Sequence, residues 1–293
     1  MVYILVQNFV TKKVFHCGGT LISDRHILTT SDCFFRGFFE NQLFAVDILN
    51  ITLGAHDLNA NSSDSFRQIA QRNSIASYVI LNNSLSAYLS IVTLGNAVEL
   101  NDYVQPACLP FGDDPDHVDD PVVLTGWGDY DDAAISRILR KTTTTVISST
   151  GSNEQCQQEA GIGPFSGEKI ICGDGSQHRR FCSGDVGGPM NYYNKECGRW
   201  FVIAIASKSD ISADCESKNS KPNVFIRVRS QLNMIPDAGV VPPIACRSSA
   251  AKMTKFERKL QIPEASDLIT TIRQSNGKTI SMMTLTNPGI PTF

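Results

Sequence analysis

Cys182-Ser183-Gly184-Asp185-Val186-Gly187-Gly188-Pro189 is the stretch that decides how the rest of this chain is read. Glycines and a cysteine surround an acid and a valine, and valine has no heteroatom with which to attack a carbonyl. Outward from this loop, short apolar runs at 19–29, 122–124 and 200–206 are separated by clusters of Asn, Asp, Ser and Gly. That is the rhythm of an all-β sandwich or barrel. Residues 1–10 alternate and are β-branched, which predicts a strand. One short helix is expected over Ser230 to Ile235, stopped by Pro236.

The eight residues resemble the active-site loop of chymotrypsin-like serine proteases, the trypsin-like S1 family, which reads C-x-G-D-S-G-G-P; Val186 stands where the nucleophile belongs. Further stretches in matching order extend the resemblance. Cys17-Gly18-Gly19-Thr20-Leu21-Ile22 is similar to the family's first-barrel strand, and Val123-Leu124-Thr125-Gly126-Trp127-Gly128 to its T-G-W-G loop. Asn101 to Pro110 resembles the crossing between barrels. The match runs from Met1 to about Ala238 and lacks the family's N-terminal activation segment, so the chain reads as beginning inside the fold. It implies an all-β architecture of two six-stranded antiparallel Greek-key barrels with a short C-terminal helix. Residues 239–293, broken at Val240-Val241-Pro242-Pro243 and then rich in Lys, Ser and Thr, predict a mostly disordered low-complexity tail.

In that family a strand ends in T-A-A-H-C, whose histidine takes the nucleophile's proton while a buried aspartate orients the ring. Here Thr29-Thr30-Ser31-Asp32-Cys33 puts Asp32 in the histidine position. The orienting aspartate opens an N-D-I-A-L-L-x-L strand; here Ala87-Tyr88-Leu89-Ser90-Ile91-Val92-Thr93-Leu94 puts Tyr88 there. A carboxylate cannot supply a donor and an acceptor on opposite ring edges. Losing one triad member already costs several powers of ten in turnover, and losing all of them leaves no covalent route. Asp32 could activate water only beside a second carboxylate, which Tyr88 removes. Ser183 would need a rebuilt loop to serve instead. The resemblance therefore implies a pseudoprotease, degenerate at Asp32, Tyr88 and Val186, with an oxyanion-hole remnant at Gly184 and Val186.

The substrate pocket is degenerate in the same reading. Arg180 and Phe181 stand at its floor, Ser207-Lys208-Ser209 at its wall, and Asn223 replaces the small residue before the last pocket strand. A bulky floor and an added amide make a poor slot for a side chain. Asp185 pairs with a newly cut N-terminal amine in active relatives. Without one, a buried carboxylate would cost several kcal/mol, so a rearranged loop is expected.

Nine cysteines occur at wide spacings without zinc-type pairs, which favours disulfides. By resemblance Cys17 pairs with Cys33, Cys156 with Cys172 and Cys182 with Cys215, each closed loop stabilising by about 3 kcal/mol on the chain-entropy model. Cys108, Cys197 and Cys246 remain. The Cys108 position commonly tethers an N-terminal light chain, so its thiol is expected either open or captured by Cys197 or Cys246. Sequons at Asn50, Asn61 and Asn82 accept glycans only in the secretory pathway, and with the disulfides they predict a secreted, extracellular protein. Residues 1–10 have no basic region or cleavage site and are not a signal peptide.

A formal net charge of −3 excludes the basic field that dominates nucleic-acid binding, and no apolar run is long enough to span a membrane. No cofactor or metal is implied. The acidic run 113–120 lacks the spacing of a calcium loop and is expected to be a solvated surface loop. His16, His26, His56, His117 and His178 all miss the general-base slot and are expected on the surface or in loops.

The resemblance is narrowest to non-catalytic serine protease homologues, like those working beside clip-domain proteases in arthropod immune, clotting or melanisation cascades. It implies partners among active serine proteases or their zymogens, with the chain as cofactor or decoy. The alternatives are a serine-type endopeptidase, which phosphonate labelling would reveal; a haptoglobin-like carrier or lectin-like binder, which a non-protease ligand in a pull-down would reveal; and a decaying gene.

Overall fold

The structure is a computed structural model that describes residues 1–8, 11–34, 46–59, 68–71, 75–82, 89–110, 114–129, 136–148, 156, 169–176, 181–182, 184–196, 198–207, 222–235, 269–273 and 279–284. β1 (Val2–Asn8) buries Val2, Ile4, Val6 and Asn8 and leaves the residues between them half-buried, the period-2 pattern of a strand with one face on a core. It pairs antiparallel with β2 (Val14–Leu21) and with β4 (Val46–Leu53). β3 (His26–Thr30), β5 (Gln68–Gln71), β6 (Ile75–Asn82) and β7 (Leu89–Leu94) extend this first sheet in the order β5-β4-β1-β2-β3-β7-β6.

A second sheet is a closed barrel of β8 (Pro121–Gly126), β9 (Arg140–Ile147), β10 (Ile170–Gly173), β11 (Pro189–Asn194), β12 (Arg199–Ala206) and β13 (Asn223–Arg227), ordered β10-β13-β12-β11-β8-β9. The architecture is the chymotrypsin-like one that the resemblance implied. In the expected tail, β14 (Ile269–Arg273) and β15 (Thr279–Thr284) form an antiparallel pair, and β15 lies parallel to the edge of β6. Composition hid this pair, because two five- or six-residue strands bring no core of their own and lean on an existing edge. The expected helix is a 3-10 helix over Val228–Met234, starting two residues early without a side-chain cap at Arg227. Its Gln231 accepts from the Leu89 amide at 3.4 Å, which ties the helix to the first sheet.

The sheets meet along an apolar seam: Ile22, Leu28, Leu89 and Ile91 pack against Val202, Ile205, Ile226 and Val228. Each such side chain is worth about 1.5–3 kcal/mol of transfer free energy, before the entropy of ordering it. The Gly18 amide donates to the Val186 carbonyl at 2.7 Å. A Cβ on Gly18 would lie 2.6 Å from the Gly188 nitrogen, so only glycine lets these backbones touch. The crossing segment is stitched to both sides: Ala107 donates to the Leu21 carbonyl at 2.8 Å and Cys108 to the Trp200 carbonyl at 3.1 Å.

Candidate functional site

β3 delivers its last residues into a 3-10 turn, Ser31–Cys33, with Thr30 at its N-cap. The Thr30 hydroxyl accepts from the Asp32 amide at 3.4 Å and lies at the same distance from Asp32 Oδ2. Ser207, just past β12, donates to Asp32 Oδ2 at 3.0 Å. The Asp32 carboxylate is thus held by two hydroxyls, one from each sheet. Asp32 is half-buried and Ser207 is buried.

Val186 is 1% exposed and belongs to the first sheet's core, beside Cys17 and Cys33. Its carbonyl is fixed by Gly18, so the loop around it is packed while its side chain is purely apolar. Tyr88, Arg180, Ser183, Lys208 and Ser209 lie outside the described residues. Among those described, Asp32 meets Ser207, while the Val186 carbonyl meets Gly18.

Gly184 keeps a left-handed φ of +94°, and a Cβ there would collide with the His16 ring. His16 stacks on Tyr3 at 5.7 Å, and Tyr3 meets Trp127 edge-on at 5.8 Å. The oxyanion-hole remnant is therefore flanked by a buried imidazole. Expected on the surface, His16 is instead buried in β2, because Tyr3 from β1 and the Gly184 backbone cover it. His117 lies in a loop, as expected, but its side chain is buried against Tyr192; the acidic run stays largely at the surface while Asp114 and Asp120 turn onto the ring. His26 is half-buried, with its Nδ1 2.8 Å from the Ser23 hydroxyl, and His56 is exposed; His178 lies outside the described residues.

The Asp185 carboxylate is held by two backbone amides. Oδ1 accepts from Gly128 at 2.7 Å and Oδ2 from Cys182 at 2.9 Å. A Cβ on Gly126 or Gly128 would strike the carboxylate, so the T-G-W-G loop is shaped around it. Burial pushes its pKa up to about 6 against the pull of those two amides, and the charge of Asp129 adds to the rise. Asp185 opens on a cavity of about 250 Å³ whose lining includes Leu124, Asp129, Arg140, Lys141 and Phe181.

Phe181 and Asn223, which the resemblance assigned to the substrate pocket or its floor, are described. Phe181 is 6% exposed and meets Phe225 at 5.1 Å in the second barrel's core, and Asn223 is buried at the start of β13.

Cys17–Cys33 and Cys156–Cys172 are disulfides. Cys182 is also disulfide-bonded, and Cys215, its implied partner, lies outside the described residues, as do Cys197 and Cys246. Cys108 is a free, half-buried thiol whose pKa burial raises, with Arg199 opposing the rise. Of the sequons, Asn50 is half-buried in β4, Asn82 ends β6 and Asn61 lies outside the described residues. Among the described residues no cluster of three or more His, Cys, Asp or Glu could hold a metal, and no helix is long and apolar enough to cross a membrane.

Comparison with known proteins places the chain. The family model described as Trypsin matches residues 4–235. Over 239 residues the chain is 28% identical to the clotting factor G beta subunit of Tachypleus tridentatus, which covers 76% of this chain and 71% of that protein. It is 27% identical over 238 residues to the CLIP domain-containing serine protease B15 of Anopheles gambiae, covering 74% of this chain and 59% of the relative. It is 27% identical over 237 residues to the phenoloxidase-activating factor 3 of Holotrichia diomphalia, covering 76% and 64%.

Proposed function

The chain belongs to the trypsin family, and from that premise we propose that it is a secreted, catalytically inactive serine protease homologue that works by binding. Its role is that of a cofactor or decoy in an extracellular proteolytic cascade such as innate immunity or melanisation. The observation that carries this reading is Val186: the loop around it keeps its packing and its Gly18 contact, while its centre has no atom able to attack a carbonyl. Asp32 supports it, since an acceptor-only carboxylate engaged by Ser207 and Thr30 cannot relay a proton as an imidazole does.

The partners in this proposal are active serine proteases or zymogens, which the protease-shaped surface would engage without being able to cut. The names of the relatives, a clotting factor and a phenoloxidase-activating factor, favour a cascade of that kind. Glycans at Asn50, Asn61 and Asn82 belong to the same extracellular proposal. Titrating the purified protein into a reconstituted zymogen cascade tests the role. A saturable, dose-dependent change in the rate of zymogen activation supports it; unchanged kinetics with no complex on light scattering overturn it.

A further inference from the structure

His117 has a carboxylate at each end of its ring. Nε2 lies 2.7 Å from Asp114 Oδ2 and Nδ1 lies 2.9 Å from Asp120 Oδ2. Ionised carboxylates only accept, so satisfying both contacts requires both ring nitrogens to donate, the state of an imidazolium. The two acids sit on opposite edges of the ring and do not converge on one point, which is the geometry of a proton clamp and not of a metal site. The side chain is 2% exposed, and its face lies 4.3 Å from the ring of Tyr192 on β11.

The same loop is tied to the end of the fold. Asp116 pairs with Arg227 at 3.2 Å and with Arg229, and Arg229 also donates to the Asp114 carbonyl. Arg227 closes β13, is 3% exposed, and donates from Nε to the Ile170 carbonyl at 3.2 Å. Arg227, Arg229 and His117 face Asp114, Asp116 and Asp120, so the network is balanced only when His117 is charged. Asp119 is exposed at the rim, and Glu196 acts from beyond Tyr192. His117 and Asp119 are also held at φ of +58° and +67°, a left-handed strain that persists only while the surroundings enforce it.

We infer that residues 114–120 form a proton-operated clamp: doubly protonated His117 locks this loop onto β11, β13 and the C-terminal 3-10 helix, and loss of one proton releases it. Burial by itself disfavours the charged ring, but hydrogen bonds and charge from Asp114 and Asp120 outweigh it and hold the pKa above the ordinary 6.5. A folded-state value above the unfolded one gives stability that is complete below the ordinary imidazole range. It is lost as pH rises through the raised value.

Two measurements on the whole chain test the clamp. Nitrogen-15 NMR of the His117 ring should show both nitrogens still mostly protonated at the ordinary imidazole value of 6.5, and hydrogen exchange at Asp119 and Asp120, corrected for intrinsic rates, should quicken about tenfold when the ring deprotonates. The urea midpoint of the native chain should fall from about pH 7 to about pH 9, and that fall should shrink in H117Q. A neutral His117 tautomer at about pH 6, or an unchanged pH course in H117Q, would overturn the proposal. If H117Q does not fold, the native ring titration decides alone.

Discussion

The Ser207 hydroxyl reaches across 175 positions of sequence to donate to the Asp32 carboxylate at 3.0 Å. The contact joins the strand end that carries Ser207 to the turn that carries Asp32, one from each sheet. The Asp32 carboxylate is thereby part of the scaffold's own bonding.

If that bond is structural, Ser207→Ala should destabilise the protein by about 1 kcal/mol, the worth of one hydrogen bond at a partly buried carboxylate. Asp32→Ala should cost a similar amount, and the double variant clearly less than the sum, because both remove one interaction. Urea midpoints of the three variants check this.

Asp185 has a sharper signature. Its folded value of about 6 lies above the model-peptide carboxylate, 3.8, so the neutral form is the one that folding favours. The contribution is fully present below the ordinary carboxylate range and is lost as pH rises through about 6. Between about pH 4 and pH 7 the native melting temperature should carry a downward component that Asp185→Asn removes. Thermal unfolding across that range measures the difference. It is separable from His117, whose own loss begins above the ordinary imidazole value.

Phe181→Ala should cost about 3–5 kcal/mol, because it takes a ring from the second barrel's core beside Phe225. If the surrounding chain does not collapse, the vacated space should also admit a benzene-sized probe. Chemical denaturation with and without such a probe checks both effects.

Much of the fold was legible because it is written in local patterns. The alternation of Val2, Ile4 and Val6 has a short-range physical meaning, and the Cys17–Cys33 bond was implied by the family resemblance. The loop around Val186 was legible too, since losing a heteroatom is visible in one letter. What escaped was long-range. Asp114, Asp116 and Asp120 read as a solvated acidic run; only the fold brings Arg227, Arg229 and Tyr192 to them from more than 70 positions away. His16 looked like an ordinary loop histidine because its cover, Tyr3 and Gly184, comes from another strand and from the far end of the chain. Which groups bond Asp185 was not legible either. The amides of Gly128 and Cys182 that satisfy it carry no side-chain signal, since every non-proline residue has one.

Inactivity is tested most directly by labelling the purified protein with a serine-directed phosphonate, followed by mass spectrometry, beside a control carrying Asp32→His, Tyr88→Asp and Val186→Ser. The account predicts no phosphonate adduct on the native chain and no peptide turnover above a mock purification. A stoichiometric adduct on the native chain, with turnover lost when the labelled residue is replaced, would contradict it and assign a nucleophile elsewhere in the chain.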